Sequence, residues 1–191
     1  MINLTHYSQT DINKLVQKMR DTVFNLNNIN PNNIKEIDWA LKGIIEIGKN
    51  TDVKTPLYVD IGNVKVGNHC FIDQNCTFKD IGYIEIGDNV YIEANCTFIA
   101  NTYPGNPLLI SPFVTTPNKI TIGKGVLIGA NSVIMPGVTI GDYAIIMPGS
   151  VVNQDIPNRE VWGGNPISYL EPLERYYDKN QYLIPKEIFS E

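Results

Sequence analysis

Residues 122–151 read Ile122-Gly-Lys-Gly-Val126-Leu, Ile128-Gly-Ala-Asn-Ser132-Val, Ile134-Met-Pro-Gly-Val138-Thr, Ile140-Gly-Asp-Tyr-Ala144-Ile and Ile146-Met-Pro-Gly-Ser150-Val. These five gapless hexads each open on isoleucine and carry a small or branched residue four places later. A helical period does not repeat every six residues. A short strand, a Gly/Asn-rich corner and another short strand do. Three such sides close a triangular coil of about eighteen residues, and coils stack with each aliphatic above its counterpart. The stretch therefore predicts an all-β solenoid, a parallel β-helix.

The same register runs upstream through Val66-Gly-Asn-His-Cys70-Phe, Ile72-Asp-Gln-Asn-Cys76-Thr, Ile86-Gly-Asp-Asn-Val90-Tyr and Ile92-Glu-Ala-Asn-Cys96-Thr. It places Cys76 and Cys96 as neighbouring inward rungs, where thiols pack as small hydrophobes and meet no substrate. The chain has only three cysteines, an odd number that argues against a disulfide framework. One interruption separates Phe98 from Ile120, and its prolines cannot sit inside a sheet. It is expected to leave the coil as a loop over 99–119, and a long loop on a rigid scaffold is the first candidate for a site.

Outside the repeat, Ile12, Leu15, Val16, Met19, Val23 and Leu26 fall at helix spacing, with Ser8 and Asp11 in the form of a capping box. A second helix is expected from Asn33 to Ile47, after a break at Pro31. Residues 1–54 thus form a helical segment, 55–170 the β-helix and 171–191 a short tail carrying Tyr176, Tyr177, Tyr182 and Phe189. That tail is expected to dock on the coil or on another subunit. With 15 basic against 20 acidic residues the net charge is −5, and no basic stripe tracks a phosphate backbone, so nucleic acid is not expected as a partner. No apolar run reaches the roughly 20 residues of a membrane span, and the expected location is the cytoplasm. No metal site is expected.

The stretch from Thr55 to Leu170 resembles the hexapeptide-repeat acyltransferases, and within them the maltose and galactoside O-acetyltransferases. The resemblance rests on Thr55-Pro-Leu-Tyr-Val-Asp-Ile-Gly62, Ile86-Gly-Asp-Asn-Val90, Val133-Ile-Met-Pro-Gly-Val-Thr-Ile-Gly-Asp142, Asp155-Ile-Pro157 and Gly164-Asn-Pro166. It implies a left-handed coil, a homotrimer with sites between subunits, and transfer of an acetyl group from acetyl-CoA to a hydroxyl of a sugar or similar acceptor. That family uses a loop histidine as general base; counting on from Asn89, Tyr103 holds its place. A phenol with a reference pKa near 10 is ionised in only about one molecule in a thousand at pH 7. His69 lies at a corner equivalent to Asn89 and is not expected beneath the loop.

The resemblance also implies cofactor contacts at Lys124, Leu127, Ala130, Asn153 and Arg159, with Leu127 where the subfamily commonly has tryptophan. Asp73 and Asp80 are the candidate acceptor ligands, since carboxylates accept hydrogen bonds from sugar hydroxyls. Two functions stay open. One is an acetyl-CoA-dependent O-acetyltransferase with Tyr103 as its catalytic candidate, using an unusual base or relying on positioning and backbone donors. The other is an inactive relative acting as a trimeric scaffold, as the regulatory partner of an active paralogue or as a binder of another ligand.

Overall fold

The computed structural model describes residues 8–103 and 116–180. The tip of the expected loop, and Tyr182 and Phe189 of the tail, lie outside the described residues.

The chain opens with helix α1, Gln9–Asn27. Its capping box is closed: Ser8 Oγ accepts from Asp11 N at 3.2 Å, and the Asp11 carboxylate accepts from Ser8 N at 3.1 Å. Helix α2 spans Ile34–Lys42 and stops short of the expected Ile47. Gly43 caps it, its N–H turning back to the carbonyls of Ala40 and Leu41. Beyond the cap, Ile44 and Ile45 are buried, and Glu46–Ile47 pairs with Lys65–Val66 as a strand. Consecutive β-branched residues suit a pleated rung better than another helical turn. The coil therefore starts upstream of residue 55.

Three parallel sheets form the three faces of the coil. Face one stacks Glu46–Ile47, Val64–Val66, Ile84–Ile86, Ile120–Ile122 and Thr139–Ile140. Face two stacks Asp52–Val53, Phe71–Ile72, Tyr91–Ile92, Leu127–Ile128, Ile145–Ile146 and Glu160–Gly163. Face three stacks Leu57–Val59, Cys76–Lys79, Thr97–Ile99, Val133–Ile134 and Val151–Val152. Register is uniform, Ile72 over Ile92 and Ile128 over Ile146, so the expected hexads map one to one onto rungs. At the top, Ser168–Pro172 turns back antiparallel on Glu160–Gly163 and leads into helix α3, Leu173–Asn180.

Corners repeat as faithfully as rungs. Between faces one and two, Asn50, His69, Asn89, Gly125, Tyr143 and Arg159 all take positive φ. Left-handed backbone is what Gly and Asn supply at little cost. His69 thus occupies the Asn89 type of corner, as expected, and is exposed.

The interior is a column of aliphatics broken by one aromatic pair, Phe78 on Phe98, with centroids 4.9 Å apart and planes within 10°. Both rings are essentially unexposed, as are Cys76 and Cys96. Burial raises the Cys70 thiol above its usual range, and a hydrogen bond with Cys96, together with burial, raises that of Cys76, in keeping with their role as packing groups. Phe98 sits mid-column, and the rungs on either side cannot collapse without breaking the ladder. Phe98→Ala is therefore expected to cost about 3–5 kcal/mol in chemical denaturation; a loss under about 1 kcal/mol would show that the column repacks.

Candidate functional site

The residues singled out from sequence are spread over all three corners of the coil. His69, Lys124 and Arg159 lie between faces one and two; Asp73 and Ala130 between two and three; Asp80, Tyr103 and Asn153 between three and one. Leu127 lies on the outside of face two. A single chain does not bring them together.

Tyr103 follows a two-stranded antiparallel ribbon, Asn101–Thr102 against Thr116–Pro117, which lifts the loop off the third corner. Its side chain is exposed, and Thr102 Oγ1 bonds Asn118 Oδ1 at 3.1 Å across the ribbon. At the root, Asn101 is 5% exposed and its Oδ1 has no hydrogen-bond partner. That is so among the described residues, and an unsatisfied buried acceptor costs about 1–3 kcal/mol.

Asp80 is not placed as an acceptor ligand. It is 0% exposed, and its carboxylate accepts the backbone N–H groups of Asp60 at 2.8 Å, Ile61 at 3.0 Å and Asn63. Its work is to fold the third corner one rung below. Burial pushes its pKa up to about 6, against the pull of those three amides. Asp73 is half-buried at the second corner, with Oδ1 accepting from Gln74 N at 2.7 Å.

The expected cofactor residues all have partners or cover already, apart from Asn153, which is simply exposed at the third corner. Lys124 Nζ lies 5.5 Å from the Tyr143 ring centroid. Arg159 grips Glu174 Oε1 through Nε at 2.8 Å and Nη2 at 2.6 Å. Ala130 N donates to Glu93 Oε2 at 2.7 Å. Leu127 packs with Ile145, Val161, Leu173, Tyr176 and Tyr177, so α3 rests on this part of face two. An aliphatic at 127 therefore serves as part of the seat of α3, and of the two places expected for the tail, the coil or another subunit, this described part takes the coil.

Sequence reasoning missed a groove of about 450 Å³ between α1 and face three. Arg20, Phe24 and Asn28 of the first helical segment face Tyr58, Asp60 and Thr77 across it. Asp60 is half-buried; desolvation raises its pKa, while the Lys79 ammonium 3.9 Å away and the Arg20 charge pull it down. A signal for it existed: Arg20 stands one turn from Val16 and Val23, on the edge of the stripe that packs on the coil.

Residues 119–154 match the bacterial transferase hexapeptide (six repeats) family, and 63–98 match the hexapeptide repeat of succinyl-transferase. The chain is 32% identical over 159 residues to SAV2555 of Staphylococcus aureus (strain Mu50), covering 82% of this chain and 80% of that protein. A match to protein CapG of Staphylococcus aureus, 46% identical over 68 residues, covers 36% of this chain and spans 40% of that protein's length. The structure superposes on a maltose O-acetyltransferase from Clostridium difficile 630 with a TM-score of 0.81 and 30% identity, covering 85% and 88% of the two chains. On a galactoside acetyltransferase solved with coenzyme A the TM-score is 0.84 and the identity 29%, covering 91% and 88%. The chain belongs to the hexapeptide-repeat acyltransferase superfamily. Its fold is the one on which acetyl-CoA-using acetyltransferases of this superfamily are built. No helix among the described residues is long and apolar enough to cross a membrane.

The raised pKa of Asp80 has a thermodynamic consequence. The folded state holds this proton more tightly than the unfolded state, so stability falls as pH climbs from about 4 to about 6 and then levels. Subtracting Asp80→Asn from wild type should isolate this slope, on the order of a few kcal/mol, in denaturation series at stepped pH. Parallel curves across that window would mean that the amides hold Asp80 ionised at its ordinary pKa.

Proposed function

We propose that the protein is an acetyl-CoA-dependent O-acetyltransferase for a saccharide hydroxyl, working as a homotrimer with sites between subunits. The observation that carries this reading is the Arg20–Asp60 groove, whose Asp60 lies at the same corner of the coil, in a lower turn, as the root of the Tyr103 loop. Carboxylate, guanidinium and hydroxyl around the exposed Tyr58 and Phe24 rings match a sugar, which offers hydroxyls at its rim and C–H bonds on its faces. The trimer is supported by the spread of candidate residues over three corners, which a neighbouring coil can complement.

In this scheme Asp60, Arg20 and Thr77 orient the acceptor, and Asp73 reaches it from the facing subunit. Tyr103 hydrogen-bonds the acceptor through its phenol. The exposed cations Lys124 and Arg159 suit the phosphates of the donor, with Asn153, Leu127 and the Ala130 amide along its length. When bound, the donor supplies an activated acyl thioester.

A second reading, a non-catalytic trimeric relative, is favoured by the Glu174 carboxylate on Arg159 and the seating of α3 over Leu127. Thermal unfolding separates the two. Acetyl-CoA at about one hundred times its dissociation constant should stabilise the fold by roughly 2.7 kcal/mol, several degrees for a chain of this size. An unchanged midpoint at millimolar acetyl-CoA would favour the scaffold. With an acceptor in hand, Arg20→Ala should raise the acceptor KM about tenfold or more and leave the acetyl-CoA KM alone. Tyr103→Phe should raise the acceptor KM several-fold; a much larger loss in kcat would give the phenol a part in the chemistry.

A further inference from the structure

Proton removal is the step for which Tyr103 is least suited, and the second corner carries a carboxylate on the amide assigned to the donor. Glu93 follows Ile92, which pairs in register with Ile128, so Glu93 lies beside the Gly129–Ala130 turn. Its own N–H bonds Ile128 O at 2.9 Å, and its Oε2 crosses to the next rung to accept the Ala130 N–H at 2.7 Å. That turn is stiff: Ser132 Oγ ties down Gly129 O at 2.6 Å from inside, and a Cβ at Gly129 would come within 2.5 Å of Pro148 N. The amide therefore keeps its direction whoever accepts from it.

We infer that Glu93 is the proton acceptor of acyl transfer, released from Ala130 as the donor binds. This rests on the acetyl-CoA reading above. A carbonyl oxygen accepting the Ala130 N–H at about 2.9 Å must stand where Glu93 Oε2 stands now. The carbon bonded to it then lies about one bond length further out, and the displaced carboxylate, anchored at Cα and free to turn about its side-chain torsions, stays beside that carbon. Asp73, one rung below, is the other carboxylate of this corner, but its Oδ1 is held by Gln74 N and makes no contact with Ala130.

Glu93 takes the proton of the acceptor hydroxyl while the hydroxyl oxygen bonds to the acyl carbon. The Ala130 N–H holds the charge that develops on the carbonyl oxygen. As the C–S bond breaks, Glu93 returns the proton to the departing thiolate. The products are the acetyl ester and the free thiol, with Glu93 again ionised and able to rebind Ala130. The carboxylate thus satisfies the amide at rest and serves as base during turnover.

The test combines binding and rate on the full chain. Titration calorimetry with acetyl-CoA and with CoA gives an affinity ratio, and CoA lacks the carbonyl that competes for Ala130. Glu93→Ala should raise the acetyl-CoA to CoA ratio several-fold. Glu93→Gln, which keeps an acceptor oxygen for the amide and hence the fold, should lower kcat about 10²–10⁴-fold for transfer to a sugar or to water, with the acidic limb of the pH profile lost. Thermal midpoints of both variants near wild type would show that the loss is chemical. A Glu93→Gln kcat within threefold of wild type, or an unchanged affinity ratio, overturns the role of Glu93 and leaves the transferase reading standing. Failure of wild type to bind acetyl-CoA overturns both.

Discussion

The backbone ladder between coils is the constraint on which everything else depends. Each rung donates to the one above, Phe71 N to Val90 O, Tyr91 N to Val126 O and Leu127 N to Ala144 O, all between 2.9 and 3.1 Å. Parallel strands two to four residues long are weak alone, and they persist here because every coil closes at the same height. Equal height requires corners of fixed shape. Where a corner residue is Gly123, a Cβ would strike Asp142 Oδ1 at 2.5 Å, so glycine lets the acid of the next corner approach and accept the Lys124 N–H. A side chain at such a position would separate rungs that the ladder holds together.

From that constraint follows where chemistry can reside. Inward positions are filled, outward positions belong to flat faces, and corners project polar groups in vertical rows. Face one spends its outward row on ion pairs, Glu46 with Lys65 and Glu85 with Lys119, which solvate the face and add little stability. Face two offers an aromatic and aliphatic row instead. Phe71 stacks on Tyr91 with centroids 4.7 Å apart, and the row continues through Leu127 to Ile145, where α3 covers it. Among the described residues, convergent groups arise where a corner meets the loop root or helix α1.

The coil was legible in sequence because its code is local: a hexad names an inward aliphatic, a corner and the next strand without reference to distant residues. Capping of α1 was legible for the same reason. The end of α2 was not, because Ile44 and Ile45 satisfy a helical stripe as well as a rung, and only pairing of Ile47 with Val66 decides between them. Candidate site residues fared unevenly on the same ground. Asp80 reads as a polar corner residue in sequence, and its burial depends on three amides of the preceding coil. The Arg20–Asp60 groove depends on how α1 crosses face three, a tertiary fact that the sequence hints at only through the spacing of Arg20 with Val16 and Val23.

Groups suited to an anionic donor are already engaged within the chain, Arg159 by Glu174, Lys124 over Tyr143 and Ala130 N–H by Glu93. A ligand drawing on them exchanges one partner for another, and exchange yields far less than a hydrogen bond made from nothing. The surface pair Arg159–Glu174 gives way cheaply, since an exposed ion pair is worth about 0–1 kcal/mol. Displacing a carboxylate from a backbone amide costs more, because the charge must find new hydration or a proton. Only a ligand that offers an oxygen at that point, and an acceptor that offers a proton beside it, recovers the cost. On the proposed reading, this corner selects for the acyl thioester and its acceptor together, rather than for the phosphates of the donor alone.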